Sequence, residues 1–137
     1  MKVSRFILLL AGVMLSWGLN AQKAIEKVDS PKREFRGAWL HVVGNQVFKT
    51  KTTEELKEMF IVTLDSLKLA GCNAVIFQVR PQADAFYKSE IEPWSRFLTG
   101  EQGVAPEPLW DPLAFMVEEA HKRGMELHAW CNPYRVT

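Results

Sequence analysis

Residues 73–80, Asn-Ala-Val-Ile-Phe-Gln-Val-Arg, constrain the fold more than any other stretch. The run is short, rich in β-branched residues and almost wholly apolar, which is the pattern of a strand buried on both faces. Such strands belong to parallel sheets covered by helices, so crossover helices are expected on either side of it in the chain. One precedes it directly. Leu56, Phe60, Thr63, Leu64 and Leu67 recur at helical spacing over 52–70, with Met59 widening the stripe. Thr52 and Glu55 form a capping-box pair at its start, and Gly71 supplies the left-handed position at its end. In the strand, Val75, Phe77 and Val79 point one way, and Ile76, Gln78 and Arg80 the other.

A first strand is expected over 35–43, with Trp39 and His41 on one face and Gly37 marking close backbone approach. Residues 81–110 form a long irregular segment, of a length that is often functional. Asp111 and Pro112 open a second helix as N-cap and first-turn residue, and Gly124 closes it. The last strand starts at Met125 or Glu126 and sets His128, Trp130 and Asn132 on one side. Pro133 then turns it into a loop.

The order is βαβαβ. A doubly wound sheet would place a glycine-rich phosphate loop after its first strand, and Gly44-Asn-Gln-Val is no such loop. A (β/α)8 barrel sets its chemistry on the loops that follow the strands. The polar residues gather there: His41 and Asn45, then Gln78, Arg80 and Asp84, then Asn132, Tyr134 and Arg135. We therefore expect an α/β fold, the N-terminal βαβαβ portion of a (β/α)8 barrel, over residues 35–137. A full barrel takes about 250 residues and three strands cannot close one. The chain accordingly reads as the first part of a longer protein, with a complete three-strand domain as the other reading.

Residues 1–21 carry Lys2 and Arg5, then an apolar run over 6–19, then Leu19-Asn-Ala21, the pattern of a secretory signal peptide. The run is shorter than the roughly 20 apolar residues a membrane-spanning helix takes, so export is expected without stable membrane insertion, in the periplasm or outside the cell. Polar residues 22–34 read as a flexible lead-in. Without Lys2 and Arg5, the 17 basic residues become 15 against 16 acidic ones, so no positive surplus draws the chain to nucleic acid. Cys72 and Cys131 sit in apolar strand-like surroundings and are expected as buried free thiols, a disulfide between them being the alternative. With two cysteines and three scattered histidines, no metal is expected, and no cofactor.

Several motifs occur together in order: Arg36-Gly-Ala-Trp-Leu, Gly71-Cys-Asn-Ala-Val-Ile-Phe-Gln-Val-Arg-Pro, Asp84-Ala-Phe-Tyr-Lys-Ser, Pro93-Trp-Ser, Leu98-Thr-Gly, Asp111-Pro-Leu, Ala120-His-Lys-Arg-Gly and His128-Ala-Trp-Cys-Asn-Pro-Tyr-Arg. Taken jointly they resemble the N-terminal part of glycosyl-hydrolase-like family 10, a family of exported barrel proteins. The resemblance runs from about residue 33 to the end. It implies a (β/α)8 barrel and hydrolysis of O-glycosidic bonds, with a peptidoglycan-type glycan as the foremost substrate.

Sugar rings present flat apolar faces and many hydroxyls. Trp39, Trp130, Tyr87 and Tyr134 are the candidate platforms, and Gln78, Asn132, His41 and His128 the candidate hydroxyl readers. Arg80 and Arg135 suit a sugar carboxylate, and Asp84 is a weak catalytic candidate at the mouth. Each has a plainer reading. The tryptophans fill a barrel layer, His128 is a core histidine, and Arg80 pairs structurally with Asp84. Glu90 and Glu92 are expected to be solvated in the long loop, and Glu126 to lie at the opposite end of its strand. The catalytic carboxylates are then expected beyond Thr137, with this chain as one wall of a cleft. A non-catalytic glycan-binding module is the rival function. A sugar-phosphate enzyme is a weaker third reading, which an export signal opposes.

Overall fold

A computed structural model describes residues 33–135. The expected signal peptide and most of the lead-in lie outside the described residues. Three strands, β1 (Gly37–Leu40), β2 (Ala74–Arg80) and β3 (Glu126–Cys131), form one parallel sheet in the order β1-β2-β3. The crossovers carry helix α1 (Thr53–Leu69) between β1 and β2, and the short α2 (Arg96–Thr99) and α3 (Pro112–Lys122) between β2 and β3. The α/β class and the βαβαβ order stand as expected.

Local chemistry sets the boundaries. Thr52 Oγ1 accepts from Glu55 N, and a Glu55 carboxylate oxygen accepts from Thr52 N, so the capping box closes as the sequence indicates. Asp111 caps α3 through Ala114 N, with Pro112 in the first turn. Gly71 takes φ 86°, which an L side chain would resist. At Gly37 a Cβ would stand 2.6 Å from the Phe35 ring and 3.1 Å from Ile76 Cδ1, the close approach its position suggested. The first strand is shorter than expected, because Val42 and Val43 give their N–H groups to the Gln78 side chain instead of a neighbouring strand.

Both helical faces pack on the same side of the sheet. Val75, Phe77 and Val79 meet Phe60, Leu64, Met116 and Ala120 in one cluster. Phe60 is fully buried and its ring stands 5.6 Å from Phe77 and 5.8 Å from Phe48. Burying each such ring contributes about 1.5–3 kcal/mol. The opposite sheet face carries Trp39, Ile76, Gln78, His128 and Trp130, aligned by the register Trp39↔Ile76↔His128 and Gln78↔Trp130. The segment after β1 covers this face at Gln78, but among the described residues no helix or strand lies over the rest, and Trp39 is 66% exposed. The cysteines are free, yet Cys131 is exposed and Cys72 half-buried. The expectation of two buried thiols is corrected, since among the described residues no helix covers the end of β3 where Cys131 sits. Among the described residues no helix is long and apolar enough to cross a membrane.

Candidate functional site

The three strands run parallel, so the segments that follow them emerge at one end of the sheet. There the segment after β2 doubles back. Phe86 N donates to Val79 O, and Ala85 bridges to Trp94 through Ala85 N to Pro93 O at 2.8 Å and Ser95 N to Ala85 O at 2.9 Å. This closure returns Glu92 to the end of β2. The Arg80 guanidinium binds Glu92 Oε1 through Nε, and Tyr87 donates its hydroxyl to Glu92 Oε2 at 3.0 Å. Arg80 Nη1 also donates to the carbonyl of Asn132 at 2.8 Å, which ties the end of β2 to the turn after β3.

Arg80 and Glu92 are largely buried, with side chains 21% and 17% exposed. An ion pair withdrawn from water to this degree persists only with good geometry and further hydrogen bonds, which Tyr87 and the Asn132 carbonyl provide. The bonded carboxylate raises Arg80 above its ordinary value, against the effect of burial. Burial, then the bond to Glu92, pushes the Tyr87 phenol up to about 12. Tyr87 is therefore a fixed donor at any ordinary pH.

Asn132 is the second hub. Its Oδ1 accepts from Trp130 Nε1 at 2.8 Å, its Nδ2 donates to Pro81 O at 3.0 Å, and its backbone N donates to Arg80 O at 2.9 Å. Trp130 in turn stands edge-on to Trp39, with ring centroids 4.9 Å apart. One connected set thus joins Tyr87, Glu92, Arg80, Asn132, Trp130 and Trp39.

The remaining expected site residues lie elsewhere. Gln78 is 1% exposed, and its Oε1 is occupied by Val42 N and Val43 N. Asp84 is also 1% exposed. Its Oδ1 accepts from Gln82 N, and it braces the turn at Ala83, whose φ is 53°. Asp84 is thus buried in the turn after β2, and its expected pairing with Arg80 is corrected, since the partner of Arg80 is Glu92. His128 lies toward the start of β3, 3.0 Å from Glu126 Oε2 and edge-on to Phe35. His41 is exposed, with Nδ1 3.2 Å from Val43 O. Tyr134 is 94% exposed, and Arg135 is exposed beside it. Glu92 was expected in solvent. The missed signal is a strand-end arginine, which needs a counter-charge, followed by a loop that holds one just before Pro93-Trp94. Among the described residues there is no group of three or more metal-ligating side chains.

Comparison with known proteins gives a consistent result. The model of the family described as glycosyl hydrolase-like 10 matches residues 34–137. Glycosyl hydrolase YngK of Bacillus subtilis (strain 168) is 50% identical over 108 residues, covering 77% of this chain and 21% of that protein. Glycosyl hydrolase DigH of Escherichia coli (strain K12) is 43% identical over 112 residues, covering 74% of this chain and 25% of that protein. The chain thus spans a quarter or less of the length of these curated relatives.

Proposed function

This chain belongs to the glycosyl hydrolase-like 10 family, and from that premise we propose that it forms one wall of the substrate cleft of an exported glycoside hydrolase of (β/α)8 type. The substrate is a polysaccharide, with peptidoglycan glycan strands foremost. The observation that carries the reading is the Arg80–Glu92–Tyr87 network at the strand ends, joined through Asn132 to the Trp39–Trp130 pair.

Glycoside hydrolysis takes two carboxyl groups flanking the bond, one as acid and one as nucleophile or base, around an oxocarbenium-like transition state. Among the described residues Glu92 is the carboxylate held at the strand ends, with both oxygens oriented. Arg80 and Tyr87 hold it with a donor on each oxygen, a fixed geometry that suits the nucleophile or charge-stabilising half of a pair. The acid partner is then placed outside residues 34–137. Trp39 and Trp130 supply apolar surface against sugar faces.

The test is release of new reducing ends from cell-wall glycan by the full-length protein. Glu92→Gln keeps the shape and removes the charge; activity is expected to fall by about 100-fold or more when assayed at a temperature where the variant, destabilised by loss of its pair with Arg80, is still folded. Trp130→Ala is expected to weaken glycan binding. Full activity in Glu92→Gln would remove Glu92 from the mechanism. Binding without release by the unmodified protein would select the glycan-binding module instead.

A further inference from the structure

A second feature at the same end of the sheet has no part in the network above. The 3-10 turn Phe48–Thr50, which follows β1, packs against α2, which follows β2. Buried Phe48 and Leu98 anchor the two pieces to the core. Between them opens a pocket of about 260 Å³, lined by Asn45, Gln46, Lys49, Arg96, Phe97 and Gly100.

Its charge is one-sided. Lys49 and Arg96 are cations, and no carboxylate lines the pocket. Among the described residues neither cation takes part in a salt bridge. Arg96 is nevertheless held in place. Its Nη2 donates to Oε1 of Gln82 at 2.8 Å, and Gln82 is 6% exposed. Its guanidinium also lies 5.3 Å from the centroid of the Phe97 ring. A guanidinium fixed by one amide and one ring keeps other N–H donors for a planar anion, which it meets in bidentate fashion. Asn45 Oδ1 accepts from Val47 N, so its amide hydrogens remain as further donors.

We propose that this pocket is a subsite for a sugar that bears a carboxylate, with Arg96 and Lys49 holding the carboxylate and Phe97 lying against the ring. The proposal rests on the glycan reading above and moves recognition of a sugar carboxylate from Arg80, which Glu92 occupies, to Arg96 and Lys49. The carboxylate is either a uronic acid's own or that of a lactyl ether on an amino sugar; the chemistry of recognition is shared.

The experiment is calorimetric titration of the full-length protein with four probes: N-acetylmuramic acid, N-acetylglucosamine, glucuronic acid and glucose. At least one acid is expected to bind about tenfold more tightly than its neutral counterpart, with the preference weakening as salt rises. Which acid shows the preference tells lactyl ether from uronate. Arg96→Gln and Lys49→Gln are each expected to erase most of the preference while leaving neutral-sugar affinity within about twofold. Among the described residues the Lys49 side chain makes no hydrogen bond, so its variant reports on the pocket even where Arg96→Gln disturbs folding. Equal affinity for acids and neutral sugars, or a preference that survives both substitutions, overturns the subsite and leaves the glycan reading intact. No binding of any probe, together with no binding of polymeric cell-wall glycan, overturns both.

Discussion

At the scale of residues, Tyr87 carries the most testable electrostatics. Its phenol has an ordinary value of 10 and is raised to about 12 by burial and by Glu92. A group raised in the folded state stabilises the fold fully below its unfolded value and loses that contribution as pH climbs through the folded one. Stability should therefore decline between about pH 10 and 12, and Tyr87→Phe should flatten that part of the alkaline limb. Chemical denaturation of both proteins across the interval checks it, and parallel limbs would mean that Tyr87 does not titrate there. The sequence made Arg80, Trp130 and Asn132 visible as a group, because strand alternation and a following proline are local rules. It did not reveal Glu92, whose position depends on a closure between Ala85 and Trp94, a contact no periodicity encodes.

At the scale of elements, two joints hold the helices. Phe60 on α1 meets Phe48, Phe77 and Trp110. Phe60→Ala removes a fully buried ring whose neighbours cannot all collapse inward, so a loss of about 3–5 kcal/mol is expected in urea unfolding. The second joint is ionic. Arg123 Nε binds Asp65 of α1 at 2.6 Å, and Nη1 binds Glu119 of α3 at 2.7 Å. Arg123 holds Asp65 below the ordinary 3.8, while Lys122 and then Arg123 hold Glu119 below 4.5. Carboxylates depressed in this way stabilise above their ordinary values, and the contribution is lost as pH falls through the folded ones. The melting-temperature gap between the unmodified protein and Arg123→Gln should accordingly shrink below about pH 4; a gap constant to pH 2 would assign the effect to packing. The ends of α1 and the start of α3 were legible to the residue, since capping is a contact between near neighbours, whereas α2 lies inside the stretch 81–110 that was expected to be irregular. The cross-helix joint was not, because Asp65 and Arg123 look like two ordinary surface charges until the chain is folded.

At the scale of the whole molecule, the outer edges of β1 and β3 lack strand partners among the described residues, and the sheet face bearing Trp39 is uncovered. Open edges and exposed aromatic surface both invite pairing with other chains. Residues 22–137 expressed alone should self-associate at micromolar concentration, where the full-length protein stays dispersed. Sedimentation velocity distinguishes them, and a monodisperse monomer of this piece would show that the sheet tolerates its edges. The parallel order was legible because β1 and β2 are each followed by a capped helix before the next strand. How far the sheet extends was legible only as arithmetic; the matched segment makes up 21% and 25% of the length of two relatives.

Asn132 engages both ends of its amide in joining β3 to β2 and in fixing Trp130. Gln78 likewise uses its side-chain oxygen to hold the backbone after β1. These residues are committed to architecture, so natural drift or directed evolution toward a new sugar has little freedom there. Positions such as Gln46, Lys49 and Tyr134, which tie few scaffold groups, are where such diversification can begin without unravelling the frame.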